Sequence, residues 1–121
     1  MSFRLEADRQ GVERILRTEF RALQQLQHPH ILRMHGVVVD EPRSLTLLVE
    51  LSLVGSLRNL LSASASRVLV SRLAQVSILS GTALGMSFLH DQKPTPVLHH
   101  DLKSDNVLLW EQGQELSLIH I

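Results

Sequence analysis

The sequence predicts an α+β fold, and three observations carry that reading. Residues 7–27 interleave charges of both signs with apolar residues at a helical period, ILRMHGVVVD and SLTLLVELS are short aliphatic runs around a turn, and residues 70–91 are apolar on most sides of a helix. The expected order is one helix, two antiparallel strands and then a mostly helical stretch.

Composition narrows the function classes. The chain has 121 residues, 44% hydrophobic and 20% charged, enough for one core without staples. It has no cysteine, so neither a disulfide framework nor a thiolate metal site is available. Twelve Lys and Arg balance twelve Asp and Glu, so no nucleic-acid partner and no anionic membrane surface is expected. The start, MSFRLEADRQ, lacks a secretory pattern, and no apolar run reaches the roughly 20 residues that cross a bilayer. The expected compartment is cytoplasmic.

The elements follow in order. Val12, Ile15, Leu16, Phe20, Leu23 and Leu26 share one face of the first helix, and Glu13 and Arg17 have the favourable i,i+4 spacing. Pro29 is expected to end it, because the residue before a proline is pushed out of helical geometry. Asp40, Glu41, Pro42 and Arg43 form a turn between the two strands. Gly55 breaks the second run, and GSLRNLL starts a short helix with Ser56 as N-cap. SASAS, residues 62–66, reads as a flexible connection. The long helix carries Leu73, Val76, Ile78, Leu79, Leu84, Met86, Phe88 and Leu89 around most of its circumference, a pattern that implies burial. Lys93, Pro94, Thr95 and Pro96 stop it, and no internal repeat is present.

The chemistry concentrates in HHDLKSDNVLL, residues 99–109. A polar loop between an apolar helix and an apolar strand is a place where catalytic groups sit. Asp101 can accept a hydroxyl proton, Lys103 can neutralise a transferring phosphoryl group, and Asn106 can hold magnesium. The plain alternative is a surface ion pair between Lys103 and Asp101. His90, His99 and His100 match no zinc spacing, so one packed histidine with exposed neighbours is expected.

HHDLKSDNVLL resembles the catalytic loop of eukaryotic protein kinases, H-R-D-L-K-x-x-N followed by apolar residues. Three further blocks are similar to that family in the same order. TEFRALQQLQHPHILRMHGVV resembles its C-helix and following strand, LLVELSLVGSLRNLL its hinge and linker, and ILSGTALGMSFLHD the helix before the catalytic loop. The resemblance implies a partial kinase fold over residues 1–115: the C-helix and two antiparallel strands of the small lobe, then the helical start of the large lobe. It implies ATP and magnesium as cofactors, and a protein substrate phosphorylated on Ser or Thr, the lysine of DLKSDN being typical of the serine/threonine or tyrosine-kinase-like group.

Roles carry over position by position. Asp101 would be the catalytic base, Lys103 the phosphate-contacting lysine and Asn106 a magnesium ligand. Glu19 would be the C-helix glutamate that pairs with a strand lysine, although on a mixed-charge helix it would otherwise read as a solvated side chain. Val49 would stand behind the adenine as gatekeeper, backbone groups of Glu50 and Ser52 would bond its edge, and Leu108 would lie beneath it. Leu23, Met34 and His99 match the apolar spine.

Departures from the family pattern also carry information. His100 replaces the arginine that pairs with an activation-loop phosphate, and imidazole cannot fork onto a phosphate as guanidinium does. No G-x-G-x-x-G precedes Glu19, the only lysines are Lys93 and Lys103, and no D-F-G follows the loop. Only Arg4 lies near the place of the strand lysine. The chain is therefore expected to be an inactive fragment. Residues 116–121, LSLIHI, match the translation of a transposon-end sequencing adapter and are expected to be read-through. The alternatives are a pseudokinase scaffold that signals by binding and a small-molecule phosphotransferase of kinase-like fold, whose loops read H-G-D-x-x-x-x-N. A purely helical module would leave the loop spacing unexplained.

Overall fold

Arg9–Gln24 forms helix α1, which stops before the proline expected to end it. The computed structural model describes residues 2–3, 9–40, 44–63, 70–112 and 115–120, in two units: residues 1–27 with 33–50, and residues 28–32 with 51–121. Beyond Gln24 the chain tightens into i to i+3 bonds, Gln25 N–H to the Ala22 carbonyl at 3.2 Å and Leu26 N–H to Leu23 at 3.1 Å. Such turns satisfy carbonyls at a helix end and let the chain leave helical geometry ahead of Pro29.

The first unit pairs α1 with a sheet of order β1-β3-β2. Its main hairpin joins β2, Met34–Asp40, to β3, Ser44–Val49, with Val37 opposite Leu47 and Val38 opposite Thr46. This is the expected antiparallel pair; turn residues 41–43 lie outside the described residues. The added strand β1, Ser2–Phe3, pairs with β3 and is too short to leave a periodic signal. Val38, Leu48 and Val49 remain 42–46% exposed.

The second unit builds a sheet of order β4-β5-β6 from Gly55–Ser56, Val107–Gln112 and Glu115–His120, all antiparallel. Helix α2, Leu57–Ser62, starts as expected: the Ser56 hydroxyl accepts the Asn59 N–H at 3.2 Å. Gly55 enters at φ 90°, where a side chain is strained, and so turns the linker onto β5. Most of SASAS lies outside the described residues. Helix α3, Arg72–His90, is capped by the Ser71 hydroxyl on the Ala74 N–H at 3.0 Å.

Ile78 of α3 packs with Val107 and Leu109 of β5, and Val54, Leu57 and Leu60 close around them. Gly85 brings the loop at residues 28–32 close to α3. A Cβ there would lie 2.8 Å from the His30 carbonyl oxygen. Beside it the His28 ring stacks on Phe88, centroids 4.7 Å apart.

The expectation of an all-round buried α3 is corrected. It buries one line, Ala74, Ile78, Gly81, Gly85 and Leu89, at helical spacing. Leu73, Val76, Leu79 and Leu84 are 51–71% exposed. A helical period reveals apolar faces but not how many of them this chain covers. By length and composition α3 is also long and apolar enough to cross a membrane, against the expectation that no segment reaches that length; core helices pass the same test. Most of LSLIHI lies in β6, where Leu109 pairs with Leu118 and Leu108 with Ile119.

Candidate active site

The end of α3 delivers the polar loop. Val97 N–H returns to the Leu89 carbonyl at 2.9 Å, and the Gln92 side-chain amide bonds the Phe88 carbonyl at 2.9 Å, so the chain folds back over the helix terminus. Beyond it, His99 is half-buried and its Nδ1 accepts the Asp101 N–H at 3.1 Å. That bond places the neutral ring's proton on Nε2. Burial lowers the His99 pKa; the Asp101 charge opposes this and His100 adds to it. His100 takes φ 64°, a left-handed conformation uncommon for a residue with a side chain.

Asp101, Lys103 and Asn106 come together in this turn. Lys103 Nζ lies 3.2 Å from Asp101 Oδ2. Asn106 Nδ2 donates to the Asp101 carbonyl oxygen at 2.8 Å and to Oδ2 at 3.0 Å. The 3-10 turn Ser104–Asn106 brings Asn106 back, closed by its N–H on the Lys103 carbonyl at 2.9 Å. The Lys103 hydrogen bond, then that of Asn106, holds the Asp101 carboxyl below its ordinary pKa, so it is an anion at neutral pH. All three pairings stand in solvent and screening leaves them little weight in stability. Their effect is to fix geometry.

This donor set fits magnesium and phosphate. Both Asn106 bonds use its nitrogen, so the carboxamide oxygen takes part in neither and is a hard oxygen of the kind magnesium prefers, while Lys103 brings the positive charge that suits phosphate.

The other expected site residues fall in both units. Glu19 lies within α1, and its side chain lies outside the described residues. Val49 ends β3 and is 42% exposed. Glu50 follows it, and its N–H donates to the Arg33 carbonyl at 3.1 Å. Leu108 is half-buried in β5, opposite Ser56. Ser52 is half-buried, and its hydroxyl reaches the Leu109 carbonyl oxygen. Of the spine positions, Leu23 is 43% exposed, while Met34 and His99 are half-buried. Arg4 lies outside the described residues.

Two contacts were not anticipated. Arg58 of α2 pairs with Asp105 at 3.6 Å, joining the short helix to the loop. The Ser52 hydroxyl makes a bond across 57 positions, which no local pattern could announce. The sequence resemblance implies a role for the Ser52 backbone and none for its side chain.

Comparison with known proteins bears on the family of the chain. The family model described as Protein kinase domain matches residues 2–121. The chain is 37% identical over 100 residues to mitogen-activated protein kinase kinase kinase 10 of Mus musculus, covering 79% of this chain and 10% of the relative. It is 36% identical over 91 residues to serine/threonine-protein kinase CTR1 of Arabidopsis thaliana, covering 75% of this chain and 11% of the relative. With calmodulin-binding receptor-like cytoplasmic kinase 2 of the same plant it shares 31% identity over 104 residues, 86% of this chain and 25% of the relative. The chain thus spans about a tenth to a quarter of the length of these relatives. Its ordered blocks, its α+β elements and its match along nearly the whole sequence place the chain in the protein kinase domain family.

Proposed function

We propose that this chain carries the phosphoryl-transfer loop of a serine/threonine protein kinase, a cytoplasmic enzyme that moves the γ-phosphate of ATP to protein hydroxyls. The convergence of Lys103 and Asn106 on one carboxylate, Asp101, carries the reading. Asp101 would orient the substrate hydroxyl and take its proton, and Lys103 would offset charge on the transferred group. Asn106 would hold magnesium, which when bound neutralises phosphate charge. Glu50 and Ser52 would present backbone groups to the adenine edge, with Val49 behind the ring, Leu108 below it, and Glu19 positioning the strand lysine.

The 121 residues contain no G-x-G-x-x-G and no D-F-G, so the chain by itself is proposed to be inactive, with LSLIHI a translated adapter. A pseudokinase scaffold is the second reading, favoured if the parent has arginine in place of the strand lysine, near which only Arg4 lies. Long-read sequencing of the parent gene through both ends separates the two. A glycine-rich loop and lysine before Glu19, D-F-G after Leu109, and a different sequence in place of LSLIHI are the expected result. An unbroken frame without them would leave a kinase-shaped binding protein and remove the catalytic role of Asp101.

A further inference from the structure

The linker from β3 to α2 alternates. Leu51 and Leu53 are 76% and 91% exposed, while Ser52 and Val54 are partly buried, and Val54 packs on the core cluster. Ser52 therefore carries the polar side chain that the linker turns toward β5. Its Oγ accepts the Gly55 N–H at 2.9 Å and donates to the carbonyl oxygen of Leu109. Leu109 is 0% exposed and sits opposite Gly55 in the ladder, at the point where the linker begins to diverge from β5.

A hydroxyl here does two things that a methyl cannot. It gives a partner to a carbonyl on a fully buried residue, where losing one is costly, and it closes the tight turn from Ser52 to Gly55. Side chains alternate along a strand, so Leu109 faces the core while Leu108 faces the other way. Fixing the Leu109 carbonyl against Ser52 thus sets the separation between Leu108 and the backbone of Ser52.

We infer that the Ser52 hydroxyl is a positioning group for nucleotide: it clamps the linker to β5 and holds the edge and floor of the adenine site in register. This inference rests on the proposed ATP-dependent function, and it assigns the side chain a task separate from that of the Ser52 backbone.

The test compares Ser52→Ala with Leu60→Ala in the full-length protein that carries this chain, reading KM for ATP, kcat and thermal midpoint. Leu60 lines the same core cluster but takes no part in the clamp. Ser52→Ala is expected to raise KM for ATP about three- to tenfold, the scale of one hydrogen bond, with a smaller change in kcat. Leu60→Ala should lower the midpoint at least as far and leave KM within twofold. An unchanged KM in Ser52→Ala, or equal rises in both variants, would overturn the inference while the kinase function stands. A parent that neither binds nor uses ATP would overturn that function and the inference with it.

Discussion

Asn106 holds Asp101 twice through one amino group, at 2.8 Å on the backbone carbonyl and 3.0 Å on Oδ2. Together with Lys103 on the same Oδ2, it fixes the carboxylate's position and lowers its pKa. Replacing Asn106 by Ala should raise the Asp101 pKa toward its ordinary 3.8, and replacing Lys103 by Met should raise it further, because the lysine bond is the larger cause. Carboxyl-carbon NMR titration reads both shifts, and an Asp101 unmoved in either variant would refute the pairing.

His99 should make the loop sensitive to acid. Its Nδ1 accepts the Asp101 N–H, and protonation would turn that nitrogen into a donor facing a donor. The folded pKa is lowered from 6.5, mainly by burial. The stability this group contributes is therefore present above 6.5 and lost as pH falls through the lower folded value. The Asp101 amide shift and exchange rate should change in that acidic window. An Asp101 amide that stays unchanged while the His99 ring is protonated would contradict the hydrogen bond.

Gly85→Ala sets two effects in opposition. Alanine favours a helix over glycine by about 1 kcal/mol, but its methyl would lie 2.8 Å from the His30 carbonyl oxygen, a backbone atom with little freedom to retreat. Overpacking of this kind costs about 1–3 kcal/mol, so net destabilisation is expected in chemical denaturation. A more stable variant would mean that the loop at 28–32 does not sit on α3 as described.

The isolated chain should be marginally stable or aggregate. Leu53 is 91% exposed, Leu51 76% and Leu79 71%, large apolar side chains left open to water. Light scattering and calorimetry decide the matter: a cooperative thermal transition from a monomer would refute the expectation.

What was legible in the sequence was local. The 3.6-residue pattern gave α1 and α3, the aliphatic runs gave the β2–β3 hairpin, and the serine before LRNLL gave the α2 cap. The loop residues 101, 103 and 106 lie close in sequence and meet in space. What escaped was tertiary. The exposure of Leu79 depends on which faces are covered, the need for glycine at 85 depends on where His30 arrives, and the Ser52 bond depends on a strand 57 residues away. Strands β1 and β4, two residues each, are too short for any period to show.

The most direct measurement is transfer of labelled γ-phosphate from ATP to serine- and threonine-containing peptides by the full-length protein, wild type against Asp101→Asn. The substitution keeps the shape of the side chain and removes its basicity, so the rate should fall about 10²- to 10⁴-fold with folding intact. Equal rates in the two proteins would contradict the role given to Asp101.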